Sequence, residues 1–171
     1  MSIFLFSRPV RSGKTSELQR WCDTQKNVTG ILMPDVNGKR MLQDIGSGML
    51  FEMECDDPPN SEKPLLQVGR YYFYASAFTK ANSSLLETLS ALPQWLVIDE
   101  VGKLELDKKG FYPAVKQLVE RYRNTRSGSN LLMVVREGLY EEVARFFKIT
   151  GHTRIRHTDE LAGFTNSHEN G

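Results

Sequence analysis

Short apolar runs alternate with longer amphipathic stretches along the chain. Short runs rich in Val, Ile, Leu and aromatic residues predict β-strands at residues 3–6, 28–33, 49–53, 65–68, 71–74, 95–98, 131–135 and 154–157. Apolar residues spaced three and four positions apart predict helices at residues 14–26, 76–90, 111–123 and 140–147. Strands that alternate with helices favour an α/β sandwich around a mostly parallel sheet.

The segments between these elements carry turn and loop signals. Asn37-Gly38, between two short extended stretches, is the strongest short-range signal for a β-hairpin. We therefore expect an antiparallel hairpin or meander at the edge of the main sheet. Residues 55–64, which include two adjacent prolines, and residues 124–130 read as loops. Residues 166–171 read as a frayed polar tail, and without a linker or repeat, residues 1–171 are predicted to form a single domain.

Composition narrows the possible partners. The 171 residues are 40% hydrophobic and 25% charged, as in one ordinary globular domain. With 22 basic and 21 acidic side chains the net charge is +1, so no overall field attracts nucleic acid or an anionic membrane. No apolar run approaches the roughly 20 residues that span a bilayer. We expect a cytoplasmic monomer that binds neither nucleic acid nor membranes.

A phosphate-binding motif follows the first predicted strand. Gly13, Lys14 and Thr15 stand between an apolar strand and an amphipathic helix, the context that a Walker A loop requires. In such a P-loop, backbone N–H groups surround the phosphates, the lysine contributes a positive charge and the threonine hydroxyl binds Mg²⁺. The predicted nucleotide-binding residues are Arg8, Pro9, Val10, Arg11, Ser12, Gly13, Lys14, Thr15 and Ser16. The alternative is a plain turn that opens a helix.

The motif departs from the full pattern G-x-x-x-x-G-K-[ST]. Arg8 stands where the first glycine is expected, and Pro9 stiffens the loop further. Glycine at that position permits a tight turn at dihedral angles that a β-carbon resists. Arg8 therefore implies either an altered turn or a bulky cation beside the phosphates, and we expect slow turnover.

An acidic pair supplies the second half of the expected chemistry. Asp99 and Glu100 follow the apolar run at residues 95–98. In P-loop hydrolases a strand beside the phosphate loop ends in an Asp that holds Mg²⁺, and the next Glu polarises the attacking water. Adjacent side chains on a strand point to opposite faces, which fits separate roles for the two carboxylates. Arg136, after the strand at residues 131–135, is a candidate for reaching the γ-phosphate; the alternative is an exposed arginine at a strand end.

Residues 97–106, VIDEVGKLEL, resemble the D-E-[IV]-G-K-[ML]-E-L signature of the cancer-related nucleoside-triphosphatase family. The resemblance covers most of residues 1–150 and implies an ASCE-type P-loop fold, a three-layer sandwich. It also implies slow, Mg²⁺-dependent hydrolysis of ATP, GTP and other nucleoside triphosphates with little base selectivity. Carried over by position, it implies phosphate binding by residues 10–16, metal binding by Thr15 and Asp99, and activation of water by Glu100. Lys103 would lie near the γ-phosphate or form a structural ion pair.

Three functions are compatible with these residues. The leading hypothesis is a Mg²⁺-dependent nucleoside-triphosphate phosphohydrolase with Glu100, Lys14 and Arg136 as its catalytic residues. A small-molecule or nucleoside kinase uses the same phosphate loop and differs mainly in whether water or another acceptor attacks. A nucleotide-binding switch with little turnover is the third hypothesis, because of Arg8.

Overall fold

The apolar runs form the strands of an eight-stranded mixed sheet and a small hairpin. The computed structural model describes residues 2–124 and 128–165. Its strands are β1 Ser2–Phe6, β2 Val28–Leu32, β3 Asp35–Val36, β4 Lys39–Asp44, β5 Leu50–Glu52, β6 Leu65–Val68, β7 Tyr71–Tyr74, β8 Trp95–Val101, β9 Asn130–Val135 and β10 Thr153–Ile155. Its α-helices are α1 Lys14–Asp23, α2 Ala75–Glu87, α3 Lys103–Leu106, α4 Tyr112–Asn124, α5 Tyr140–Phe146 and α6 Ala162–Thr165. Short 3₁₀ helices occupy Pro58–Asn60, Glu137–Leu139 and Thr158–Leu161.

The order of the main sheet is β10-β1-β9-β8-β2-β4-β3, with β5 paired to β4. Strands β10, β1, β9, β8 and β2 are parallel to one another, and β4 pairs antiparallel with β2, β3 and β5. Strands β6 and β7 form a separate antiparallel pair. The carboxyl ends of β1, β9, β8 and β2 therefore meet at one edge, where ligands bind in open α/β sheets. Strand β9 lies between β8, which carries Asp99, and β1, which precedes the predicted phosphate loop.

Both faces of the sheet are covered, which gives three layers. Alternation along β1 sends Ile3 and Leu5 to one face and Phe4 and Phe6 to the other. The first face packs against the apolar sides of α2, α4 and α5, and the second against α1 and Leu161. The predicted α/β sandwich with an added antiparallel meander is thus confirmed.

Several predicted elements are confirmed with shifted ends. The turn at Asn37 and Gly38 joins β3 to β4, and both residues have positive φ, 55° and 81°, as a tight hairpin turn requires. The first helix ends at Asp23 rather than at residue 26, and the strand predicted at residues 95–98 continues to Val101. Part of the loop predicted at residues 55–64 is a 3₁₀ helix, since proline is well placed at a helix start. The tail at residues 166–171 and part of the loop at residues 124–130 lie outside the described residues.

Gly30 fixes how closely β2 approaches β8. Its φ is 124°, and a β-carbon there would lie 2.0 Å from the carbonyl oxygen of Val97. Only glycine fits this position, so the contact between the two central strands depends on it. Within residues 2–124 and 128–165, no helix has both the length and the apolar character needed to cross a membrane.

Candidate functional site

A cavity of about 480 Å³ opens at the carboxyl edge of the parallel strands. The predicted site residues that line it are Val10, Arg11, Ser12, Gly13, Lys14, Thr15, Ser16, Glu100 and Arg136. Arg8, Pro9 and Asp99 are not part of its lining. A wider, shallower groove of about 900 Å³ between α2 and β4 is lined by hydroxyl-bearing side chains, and none of the predicted site residues lies in it. The first cavity is therefore the candidate site.

The loop after β1 wraps around the side chain of Lys14. Gly13, immediately before α1, has a φ of 78°, in the left-handed region that favours glycine. Lys14 Nζ donates to the carbonyl oxygens of Arg8 at 3.1 Å and Pro9 at 2.9 Å. Burial lowers the pKa of Lys14, while the charges of Glu100 and Asp99 act to raise it. The ammonium group is thus enclosed by its own loop at the start of α1.

Thr15 and Asp99 join the two predicted motifs. Thr15 Oγ1 donates to Asp99 Oδ2 at 2.9 Å, and the backbone N–H of Met33 donates to the same oxygen at 3.2 Å. Asp99 is 1% exposed. Burial and the charge of Glu100 raise the pKa of Asp99 to about 6, against the lowering effect of its two hydrogen bonds. A hydroxyl and a carboxylate are the oxygen ligands that Mg²⁺ prefers, so this pair fits the predicted metal.

Glu100 lies beside Asp99 but has a different partner. Its Oε1 accepts a hydrogen bond from Arg136 Nε at 2.6 Å, and the side chains are 20% and 43% exposed. The peptide bond between Asp99 and Glu100 is cis, and the pairing of β8 with β9 shifts register between Ile98 and Val101. The different partners of Asp99 and Glu100 put the adjacent carboxylates in distinct surroundings, one buried beside Thr15 and one in the cavity.

Glu105 was given no role by the sequence, although it belongs to the family signature. Its carboxylate accepts two backbone hydrogen bonds, from Gly102 at 2.7 Å and from Phe111 at 2.8 Å. Burial raises the pKa of Glu105 to about 7, although both hydrogen bonds act to lower it. The side chain thus caps α3 and fixes the approach to α4, next to the cavity. Gly110 makes room for it, since a β-carbon there would touch Glu105 Oε1.

Arg8 points away from the cavity. Its Nη1 forms an ion pair with Glu17 Oε2 at 2.7 Å and lies 3.1 Å from His157 Nδ1, and its Nη2 donates to Ser12 O at 3.0 Å. The backbone N–H of Thr158 donates to Glu17 Oε1 at 2.8 Å. The residue of this loop with a left-handed φ, apart from glycine, is Arg11 at 59°. The guanidinium thus braces the loop against α1 and the C-terminal segment.

The cavity also contains residues outside the predicted site set, among them Lys103, which the family resemblance placed near the γ-phosphate or in a structural ion pair. Lys103, Arg40, Tyr71 and Phe73 line it, and Arg40 lies close enough to Asp99 for its charge to lower the pKa of that carboxyl. Alternation along β7 places Tyr71 and Phe73 on one face. Nothing in the sequence marks Arg40, because the hairpin that brings it to the site is a long-range contact.

Comparisons with known proteins identify a family model and two similar folds. A family model described as NTPase matches residues 3–155. The structure of THEP1 from the hyperthermophile Aquifex aeolicus aligns with a TM-score of 0.66 at 20% identity, covering 95% of this chain and 93% of that one. A human cancer-related nucleoside triphosphatase aligns with a TM-score of 0.56 at 23% identity, covering 94% of this chain and 90% of that one. Among curated protein sequences, no significant match was found.

The two structural likenesses concern the fold, and the family model carries the assignment. The match spans the phosphate loop, the Asp99–Glu100 pair and the whole VIDEVGKLEL segment. Together they confirm the resemblance drawn from that segment, and the chain belongs to the NTPase family that includes the cancer-related nucleoside triphosphatases.

Proposed function

We propose that the protein is a Mg²⁺-dependent nucleoside-triphosphate phosphohydrolase that converts an NTP and water to an NDP and phosphate with broad base specificity. The observation that carries the proposal is the 2.9 Å hydrogen bond between Thr15 and Asp99. It joins the phosphate loop to the acidic strand end across 84 positions of sequence. The family assignment supports nucleotide hydrolysis in general.

Each side chain of the site has a task in this proposal. Lys14 and the backbone N–H groups at the start of α1 bind the phosphates. Thr15 and Asp99 hold Mg²⁺, which when bound neutralises charge that develops on the phosphate oxygens. Glu100 orients the attacking water and takes up its proton, and Arg136 stabilises negative charge on the transferred phosphoryl group.

The contact between Glu100 and Arg136 supports slow turnover. Because Arg136 Nε donates a hydrogen bond to Glu100 Oε1 at 2.6 Å, neither side chain is free for its catalytic task while the pair is intact. The water must compete for the Glu100 carboxylate, and the γ-phosphate must compete for the guanidinium. Arg8 does not need to contact phosphate for the site to work, because its side chain pairs with Glu17.

Phosphate release from ATP, GTP, CTP and UTP tests the proposal. We would compare wild type with Glu100→Gln, with and without Mg²⁺, and measure nucleotide binding in parallel. Loss of general-base catalysis lowers a rate by about 10²- to 10⁴-fold. Glu141→Gln is a matched control, since it removes an exposed carboxylate at the start of α5.

The expected result is Mg²⁺-dependent release from all four nucleotides that is lost in Glu100→Gln and unchanged in Glu141→Gln. Retained binding in Glu100→Gln would assign the loss to the chemical step. Release that persists in Glu100→Gln would contradict the role of this carboxylate. Nucleotide binding without release by the wild type would favour a binding switch.

A further inference from the structure

The lining of the cavity extends beyond the residues of the phosphate site. One part of it contains Lys14, Thr15, Glu100 and Arg136. A further part, here called the second wall, is formed by β4 and one face of the β6–β7 hairpin, and its residues are Arg40, Val68, Tyr71 and Phe73. A water molecule occupies about 30 Å³ of liquid, so a cavity of about 480 Å³ accommodates reactants much larger than water.

The order of the strands decides on which side of the γ-phosphoryl group the second wall lies. This step rests on the proposed function, which places that group near Glu100 at the end of β8 and the other phosphates along the loop after β1. Strand β2 follows β8 on the side away from β1, with β4 beyond it. Attacking and leaving oxygens are roughly in line in phosphoryl transfer, so the attacking group approaches from the side of β2 and β4.

The second wall presents aromatic rings suited to stacking. The rings of Tyr71 and Phe73 are 6.5 Å apart and nearly parallel, with 26° between their planes. Tyr71 is 39% exposed. The guanidinium of Arg70 stacks on the outer side of Tyr71, 5.0 Å from the ring centroid, and holds it by a hydrogen bond of 2.9 Å to its hydroxyl. Rings held in this way are a platform for a planar base.

Two cations without a carboxylate partner lie at the second wall. Arg11 of the phosphate loop lies near the Tyr71 hydroxyl, and Arg40 donates to the carbonyl oxygen of Met33 at 3.2 Å. In the part of the chain that the structure describes, neither arginine has a carboxylate oxygen within 4.0 Å of its side-chain nitrogens. The acidic residues here accept backbone hydrogen bonds, Asp35 from Gly38 at 2.8 Å and Glu54 from Arg40 at 3.0 Å.

These two guanidinium groups fit an anion, and an attacking water does not provide one. We propose that the second wall, together with Arg11 of the phosphate loop, binds a nucleoside monophosphate that accepts the γ-phosphoryl group of the triphosphate. The base stacks on the aromatic rings, and the arginines hold the phosphate. An anionic oxygen of that phosphate attacks the γ-phosphorus, and the bond from the γ-phosphorus to the bridging oxygen breaks. The electron pair stays on the departing diphosphate, so the products are two nucleoside diphosphates.

To test this, the full-length protein is incubated with γ-³²P-ATP, Mg²⁺ and one monophosphate at a time, AMP, GMP, CMP or UMP, and the transfer of the label is followed. Labelled nucleoside diphosphate and labelled phosphate are separated, and their ratio is compared among variants. Loss of one stacking ring weakens base binding roughly 5- to 150-fold, so Tyr71→Ala should lower the ratio by that factor. Tyr72→Ala is the matched control, because its side chain lies on the opposite face of β7 and should leave the ratio unchanged.

Labelled diphosphate from at least one monophosphate, with the expected response to Tyr71→Ala, is the predicted result. Phosphate release without labelled diphosphate from any monophosphate would overturn this inference and leave the proposed hydrolase intact. Absence of both products would overturn the hydrolase as well. A higher KM for ATP alone in Tyr71→Ala would show that the wall holds the base of the triphosphate. If adenosine accepts the phosphoryl group as well as AMP does, the role of the two arginines is overturned.

Discussion

Replacing Arg8 with glycine restores the standard phosphate-loop pattern, yet we expect it to weaken this protein. The substitution removes the 2.7 Å ion pair with Glu17 and the 3.0 Å hydrogen bond to Ser12 O. It also removes a guanidinium stacked 5.2 Å above the ring of Phe6. The chain turns at Arg11 rather than at position 8, so glycine gains nothing from its conformational freedom there.

The size of the loss follows from the burial of the pair. The Arg8 side chain is 13% exposed and the Glu17 side chain 21% exposed, so solvent screens them only partly. Hydrogen bonds to charged groups contribute about 1.5–3 kcal/mol, and glycine adds about 0.4–1 kcal/mol through the unfolded state. In the variant, Thr158 still donates a hydrogen bond to Glu17, so the carboxylate keeps one partner. We expect a loss of about 2–4 kcal/mol in the free energy of unfolding, or about 5–15 °C in Tm.

Urea unfolding of wild type, Arg8→Gly, Glu17→Gln and the double variant measures this loss and the coupling within the pair. We expect a coupling energy of about 1 kcal/mol or more. Arg156→Gly is the control, because its guanidinium lies 3.7 Å from the Glu137 carboxylate and its side chain is 62% exposed. Additive effects of Arg8→Gly and Glu17→Gln, or a stability of Arg8→Gly equal to that of Arg156→Gly, would refute the bracing role.

The same pair gives a pH dependence. Burial acts to raise the pKa of Glu17, but hydrogen bonds from Thr158 and Arg8 outweigh it, so the pKa lies below its ordinary value of 4.5. The stabilisation is therefore present above pH 4.5 and is lost as the pH falls below that value. Arg8→Gly should differ most from wild type near neutral pH, and the two stabilities should converge in acid.

Three further substitutions test other parts of the structure. Arg136→Lys keeps a positive charge but loses the planar guanidinium next to Glu100, and we expect kcat to fall by at least tenfold with little change in nucleotide binding; an unchanged kcat would exclude the arginine from the chemistry. Burial raises the pKa of Glu105 from 4.5 to about 7, so its contribution to stability is full below pH 4.5 and is lost as pH rises through 7. In Glu105→Gln the urea midpoint should vary less between pH 5 and 8 than in wild type. The midpoint should also be lower at every pH, because the amide NH₂ cannot accept the second backbone hydrogen bond. A pH dependence of the midpoint parallel to that of wild type would argue against this role of Glu105. Gly30→Ala places a β-carbon 2.0 Å from the carbonyl oxygen of Val97 and should cost about 3 kcal/mol or more in urea unfolding, whereas an alanine at Gly163, where a β-carbon meets no neighbour, should cost little.

Local sequence patterns predicted the strands and helices, because each of them has a characteristic spacing of apolar residues. The apolar run that ends in Asp99 was identifiable because a buried parallel strand is apolar throughout and its polar residues come at the ligand edge. Lys14 and Thr15 were identifiable because their position between a strand and a helix is itself the signal. Helix α3 was missed, since a four-residue helix is too short to show a period.

Features that depend on contacts between residues far apart in the sequence could not be predicted from local patterns. The direction of the Arg8 side chain is set by Glu17 and by His157, which is 149 positions away. The second wall of the cavity requires β4 and the β6–β7 hairpin to fold over the edge of the sheet, and no local pattern fixes that packing. The place of β9 between β1 and β8 is likewise a property of topology rather than of any one segment.

Under the proposed function, the enclosure of Lys14 by its own loop makes nucleotide binding an exchange of partners rather than a simple addition of contacts. The ammonium group would give up the carbonyl oxygens of Arg8 and Pro9 in order to turn to a phosphate. The enthalpy measured by calorimetry should therefore be smaller than a count of the lysine's phosphate contacts suggests. Replacing Lys14 with methionine should release this loop from its internal tether and increase amide hydrogen exchange at residues 9–13, even in the absence of any ligand.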